Sequence, residues 1–302
     1  MLVASCGLLW VTPAFADDEK PEPKEAEDKA EKAEPKEAEP KEGGKFSLLG
    51  RECKSEHEPL ETTPGSPPLD VDDPATPGCN GWEINIVTSA ELGKGMTGET
   101  PLFDINYGIG DNVQLKFEVP YELARVDGVS SSGFGRAELG LKYRFYDNES
   151  RGTSIAVYPQ FEFAMPRTAA AAEGGTMTKL PLLFSTRLGE TSKGDIMITA
   201  NLGYNISTEV MTEHYVSASL GVGFPIMKKV AMMVEGSTEQ ALSKNLDNVR
   251  EHVFKANVGF IGGITDHLMW FGALGQSFAS SDADDPNHTC LLFGLRVLAG
   301  GP

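Results

Sequence analysis

Beyond about residue 81 the chain consists of short runs in which apolar and polar residues alternate, rich in aromatic and β-branched side chains and punctuated by Gly, Asn, Asp and Pro. A period of two is the signature of a strand with one apolar face. The run Val113-Gln114-Leu115-Lys116-Phe117-Glu118-Val119 shows it plainly: one face is wholly apolar and the other carries Gln, Lys and Glu. The pattern recurs in Glu138 to Phe145. In 155–163, Ile155, Val157, Phe161 and Phe163 stand opposite Tyr158, Gln160 and Glu162, and in 196–205, Ile196, Ile198, Ala200, Leu202 and Tyr204 oppose Thr199, Asn201 and Asn205. The periodicity predicts about twelve strands, near 82–90, 101–109, 112–120, 135–146, 153–164, 178–189, 195–206, 213–224, 228–238, 250–262, 266–278 and 289–298. No amphipathic helix of useful length falls between them.

Alternation alone also fits a soluble sandwich. Three features favour an all-β, antiparallel up-and-down transmembrane β-barrel over 81–302. The runs approach the roughly 9–11 residues that a tilted strand needs to cross a hydrocarbon layer. The connections alternate in length: tight at 110–112, 147–152, 189–194, 225–227 and 263–265, and longer at 91–100, 121–134, 165–177, 239–249 and 279–288, with 207–212 an exception. Short turns at one rim and long loops at the other are the habit of outer-membrane barrels, and an even strand count returns both ends to the short-turn side. Aromatic residues gather near strand ends (Trp82, Tyr107, Tyr121, Phe145, Tyr146, Phe224, Trp270, Phe278), as interfacial girdles do.

Orientation follows from cost. A Lys or Arg on the lipid face at mid-depth costs about 2–4 kcal/mol. The apolar stripe of Leu115, Phe117, Leu139, Leu141 and Tyr143 therefore faces lipid, and Lys116, Glu118, Glu138, Lys142, Arg144 and Glu162 line the lumen. Their mixed signs on adjoining strands suit cross-linking salt bridges that fill a narrow interior, or a selectivity filter.

The N-terminal part has a different texture. Residues 1–16 form an apolar run ending Ala14-Phe15-Ala16, the shape of a signal-peptidase site without its basic leading segment, so a signal peptide is expected there. Residues 17–80 are acidic and rich in Pro, Glu and Lys. They cannot bury apolar surface and are expected to be a disordered periplasmic arm, serving as spacer or as a contact to peptidoglycan or a periplasmic partner. Cys53 and Cys79 can pair in an oxidising compartment. The net charge of −18 excludes nucleic-acid binding. No uncharged apolar stretch is long enough for a helical span. The five histidines show no metal-ligand spacing, His214 near Ser217 and Ser219 lacks an orienting carboxylate, and no cofactor or enzymatic activity is expected.

Three runs carry a resemblance: Gly81-Trp82-Glu83-Ile84-Asn85, then Asp104 through Tyr121 (DINYGIGDNVQLKFEVPY), then Gly133 through Phe145 (GFGRAELGLKYRF). Over roughly 81–165 the chain resembles the outer-membrane barrels of the meta-pathway of phenol degradation family; beyond that the likeness is architectural. Such barrels usually end in an aromatic residue, whereas here the last aromatic is Phe293. The resemblance implies a Gram-negative outer-membrane barrel, bathed in membrane lipid, that passes small, often hydrophobic molecules. The expectation is a passive channel. The rivals are a structural or surface-contact membrane protein with a plugged lumen, and a soluble exported barrel carrying a hydrophobic ligand.

Overall fold

The computed structural model describes residues 45–46, 70–165, 175–208, 214–243, 250–279 and 287–300. All lie in one compact unit, Lys41–Pro302. After a two-residue strand β1 (Lys45–Phe46) come β2 (Gly81–Leu92), β3 (Met96–Gly110), β4 (Val113–Val126), β5 (Val129–Phe134), β6 (Arg136–Asn148), β7 (Thr153–Val157), β8 (Gln160–Ala164) and β9 (Thr176–Thr191). They continue as β10 (Gly194–Ser207), β11 (Tyr215–Met227), β12 (Val230–Ala241), β13 (His252–Gly263), β14 (Leu268–Ala279) and β15 (Asn287–Gly300). Strands β5 and β6 are successive pieces of one wall strand, and so are β7 and β8, parted at Tyr158-Pro159 where proline has no N–H to give the ladder. The wall thus has 12 antiparallel strands, each paired to its chain neighbours, and β15 closes the cylinder on β2 from Thr289↔Leu92 to Gly300↔Gly81.

The strand positions follow the two-residue period closely. Leu115, Leu141 and Leu202 are 44, 44 and 61 % exposed on the outside, whereas Lys142 and Thr199 between such positions are buried within. The outer apolar band includes Phe103 on β3, Leu182 on β9, Leu220 on β11, Val234 on β12, Leu274 on β14 and Phe293 on β15. A continuous apolar belt of that extent is untenable in water and is what the hydrocarbon layer of a membrane solvates.

Both ends of the barrel, Gly81 and Gly300, lie at the rim of the tight turns. There Asn148 caps a 3-10 turn (Glu149–Arg151) by accepting from the Arg151 N–H, and Gly152 leaves it with φ +59°. At the opposite rim two connections are shorter than their sequence suggests. The stretch 91–100 is mostly strand, turning at 93–95, and 121–134 is a β-hairpin turning on Asp127 and Gly128 with φ +52° and +80°. An Asp-Gly pair in that geometry is the favoured two-residue hairpin turn, so β4 and β5 rise above the band as a ribbon.

Aromatic pairs sit toward both rims: Trp82 stacks obliquely on Tyr107 at 4.6 Å, and Tyr121 meets Phe134 edge-on at 5.5 Å.

Candidate functional site: the lumen

The inward face divides into a polar wall and an apolar one. On the polar wall, register places Glu118, Glu138 and Glu162 directly opposite one another across β4, β6 and β8. Three carboxylates in a row repel. Two lysines interleave them: Lys116 Nζ lies 2.8 Å from Glu118 and 2.6 Å from Glu138, while Lys179 Nζ lies 3.0 Å from Glu138 and pairs also with Glu162. Glu138, only 4 % exposed at its side chain, is the centre of this zigzag and receives both lysines. Four of the residues expected in the lumen, Lys116, Glu118, Glu138 and Glu162, are therefore brought together in one chain of charges. Lys179 completes it and was missed, because nothing in the sequence fixes the register of β9 against β6 and β8.

Nearer the tight-turn rim a hydrogen-bonded row continues round the wall. Gln114 donates to Asn106 and to the Tyr158 hydroxyl, Asn106 donates to Asp104, and Asn85 donates to Asp104 and Glu83. Arg296 closes the row by donating to Asn85 at 2.9 Å and pairing with Glu83 at 3.2 Å, across the seam between the last and first wall strands. Arg144 faces the adjoining turn, donating to the Asp111 carbonyl at 2.9 Å and pairing with Asp147 at 3.6 Å. Lys142 stands apart from the zigzag, with Nζ 4.7 Å above the Tyr158 ring.

The apolar wall departs from the binary pattern. Val87, Ala231, Ile261, Met269 and Phe271 form a buried cluster backed by Leu102, Leu292 and Leu298. Strand β14 carries apolar residues on both faces, Leu268 and Trp270 outward and Met269 and Phe271 inward. Alternation is silent about such a strand.

The lumen is occupied. Residues 70–80, the last part of the span whose composition reads as arm, run through it from the tight-turn rim. At the foot, the Asn80 N–H donates to the Gly108 carbonyl at 2.9 Å, and a side chain at Gly108 would overlap the Gly78 carbonyl, so glycine is needed for this backbone contact. Thr76 donates to the Asp111 carbonyl at 2.7 Å. Lys142 Nζ donates to the carbonyls of Asp73 and Ala75 at 2.8 and 3.2 Å. Asn201 accepts from the Asp72 N–H and donates to its carbonyl, at 2.8 and 2.7 Å. The Glu235 carboxylate accepts the N–H groups of Asp70 and Val71. Asn257 donates to both Glu235 and the Asp70 carboxylate. Val71 and Pro74 are fully enclosed. Cys79 is disulfide-bonded, and Cys53, its expected partner, lies outside the described residues.

Between this segment and the loop-side mouth is a cavity of about 430 Å³ bounded by Asp70, Glu91, Glu99, Glu122, Lys255 and Cys290. Among the described residues no group of three or more His, Cys, Asp or Glu is placed to hold a metal ion. His214 is engaged by the Ser207 N–H rather than by a serine hydroxyl.

No family model matches the chain, and no curated protein does. Among solved structures it is similar to an outer membrane channel from Pseudomonas putida F1, at TM-score 0.61 and 10% identity over 76% of this chain and 100% of that one. It is also similar to the NanC porin, at TM-score 0.52 and 6% identity over 71% of this chain and 98% of the other. These likenesses are likenesses of fold.

Proposed function

We propose that the protein is a passive channel for small molecules in the outer membrane of a Gram-negative cell. The observation that carries this reading is the inversion of the fold: apolar side chains face outward on the wall strands, while charged and hydrogen-bonding side chains line much of the interior. A soluble carrier barrel would have the opposite polarity. The barrels of similar fold, a channel and a porin by their names, support it. The three resembling runs lie on β2, β3, β4, the end of β5 and β6, and support membership of the meta-pathway of phenol degradation family. On this reading the tight-turn rim and the N-terminal arm face the periplasm, where the arm acts as a spacer or contacts peptidoglycan. Cys53 is the proposed disulfide partner of Cys79.

Permeation is tested by liposome swelling and planar-bilayer recording with the purified full chain. Solute-dependent swelling and discrete currents support the channel. Tight liposomes and silent bilayers, with the protein folded and also when residues 70–76 are replaced by Gly and Ser, overturn it. A second reading, a membrane protein with a sealed lumen whose loops and arm make its contacts, is favoured by residues 70–80 in the passage and by the charge zigzag that ties β4, β6, β8 and β9 together. The same swelling assay separates the two.

A further inference from the structure

Resting on the channel reading, we propose that residues 70–80 are a hinged gate, fixed at Cys79–Gly81 and released at Asp70–Ala75, so that the described state is the closed one. The two ends are held by different chemistry. The foot is bound backbone to backbone at Gly108, with Cys79 only 2 % exposed. The distal limb is held chiefly by wall side chains reading its main chain: Glu235, Asn201 and Lys142 take the N–H and carbonyl groups between Asp70 and Ala75. Each such bond exchanges for one to water at small net cost, so the limb can leave while the foot stays.

The latch turns on two carboxyl groups. The carboxylates of Asp70 and Glu235 are bridged by a single amide, Nδ2 of Asn257, at 3.0 and 2.8 Å. Lys255 faces Asp70 only at 4.0 Å. Ser237 donates to the Asp70 carboxylate at 2.9 Å and Ser219 to its carbonyl at 3.4 Å. Two carboxyl groups joined through neutral donors make a junction that small changes in the lumen can open. A limb so released uncovers the passage between the 430 Å³ outer cavity, which Asp70 and Asn257 floor, and the Lys142 region beneath.

The test uses the full chain in planar bilayers. The Asn201→Ala/Asn257→Ala double variant removes latch bonds without altering lumen charge. It is expected to raise open probability on the order of tenfold, the factor that roughly 1.4 kcal/mol supplies, at unchanged single-channel conductance. A merely wider lumen would change the conductance instead. Asp70→Cys places a thiol in the cavity that the native, free Cys290 also lines. Before treatment it should open more often than the wild type, and bridging to Cys290 with a short bismaleimide should abolish opening. Heat-modifiable mobility on gels verifies that each variant is folded. Equal open probability in wild type, double variant and bridged Asp70→Cys, with currents still flowing, overturns the gate and leaves the channel. Silence in all of these, and in a folded chain whose 70–76 segment is replaced by Gly and Ser, overturns the channel reading and the gate with it.

Discussion

The Glu235 carboxylate accepts the main-chain N–H of Asp70 at 2.8 Å, across a separation of 165 residues. One residue belongs to a strand of the closed wall and the other to a segment that precedes the barrel in the chain. That contact and its neighbours hold the segment inside the cylinder.

The zigzag predicts an asymmetry between its members. Lys116→Met leaves Glu118 facing Glu138 with Lys179 alone to neutralise the row, and should cost about 3–5 kcal/mol, the range for orphaned buried charge. Glu138→Gln relieves the carboxylate repulsion and leaves Lys116 with Glu118 and Lys179 with Glu162, so it should cost much less. Denaturant midpoints in detergent or vesicles check the order, and the double variant should recover part of the Lys116→Met loss.

Outer positions should be graded by depth. Leu141→Arg, in the middle of β6, is expected to cost about 2–4 kcal/mol of stability in lipid vesicles, and Leu92→Arg, at the strand end beside a rim turn, about 0–1 kcal/mol. The folded fraction after urea titration in vesicles measures both.

The foot of the lumen segment is sensitive to a single methyl group. Gly108→Ala would drive a Cβ into the Gly78 carbonyl, displacing the foot at about 1–3 kcal/mol of strain. Proteolysis of the segment should accelerate while the barrel keeps its heat-modifiable mobility.

At the loop-side mouth, Glu91, Glu99 and Glu122 outnumber Lys255, the one cation lining the cavity among the described residues. Changing the three together to Gln should lower the cation-to-anion permeability ratio. The reversal potential in a KCl gradient reads this directly, and an unchanged potential would place the selective region elsewhere.

Non-reducing peptide mapping should recover Cys53 linked to Cys79. Closing a loop of that length contributes about 3–4 kcal/mol in the chain-entropy account, so Cys53→Ser should loosen the foot and expose Cys79 to thiol reagents.

Much of this architecture is legible in the residues. Leu115, Leu141 and Leu202 point outward and Lys116, Lys142 and Asn201 inward because a period of two leaves a strand no other choice once one face meets lipid. The Asp127-Gly128 hairpin also carried a readable signal, obscured by the serines that follow it. Two things lay beyond local pattern. Phe271 and Ile261 turn inward from strands apolar on both faces, where alternation gives no orientation. Residues 70–80 are polar, proline-bearing and aperiodic, and what orders them is supplied by Lys142, Asn201, Glu235 and Asn257, positions that only the curled sheet brings within reach.

The seam where Arg296 meets Asn85 and Glu83 is made by the final strand arriving beside the first. Residues 70–80 are covalently joined to that first strand, and their partners are spread over β3, β6, β10, β12 and β13. The filling of the hoop is therefore part of the same chain as the hoop, and a bore emptied of it would keep it tethered at the rim through Gly81.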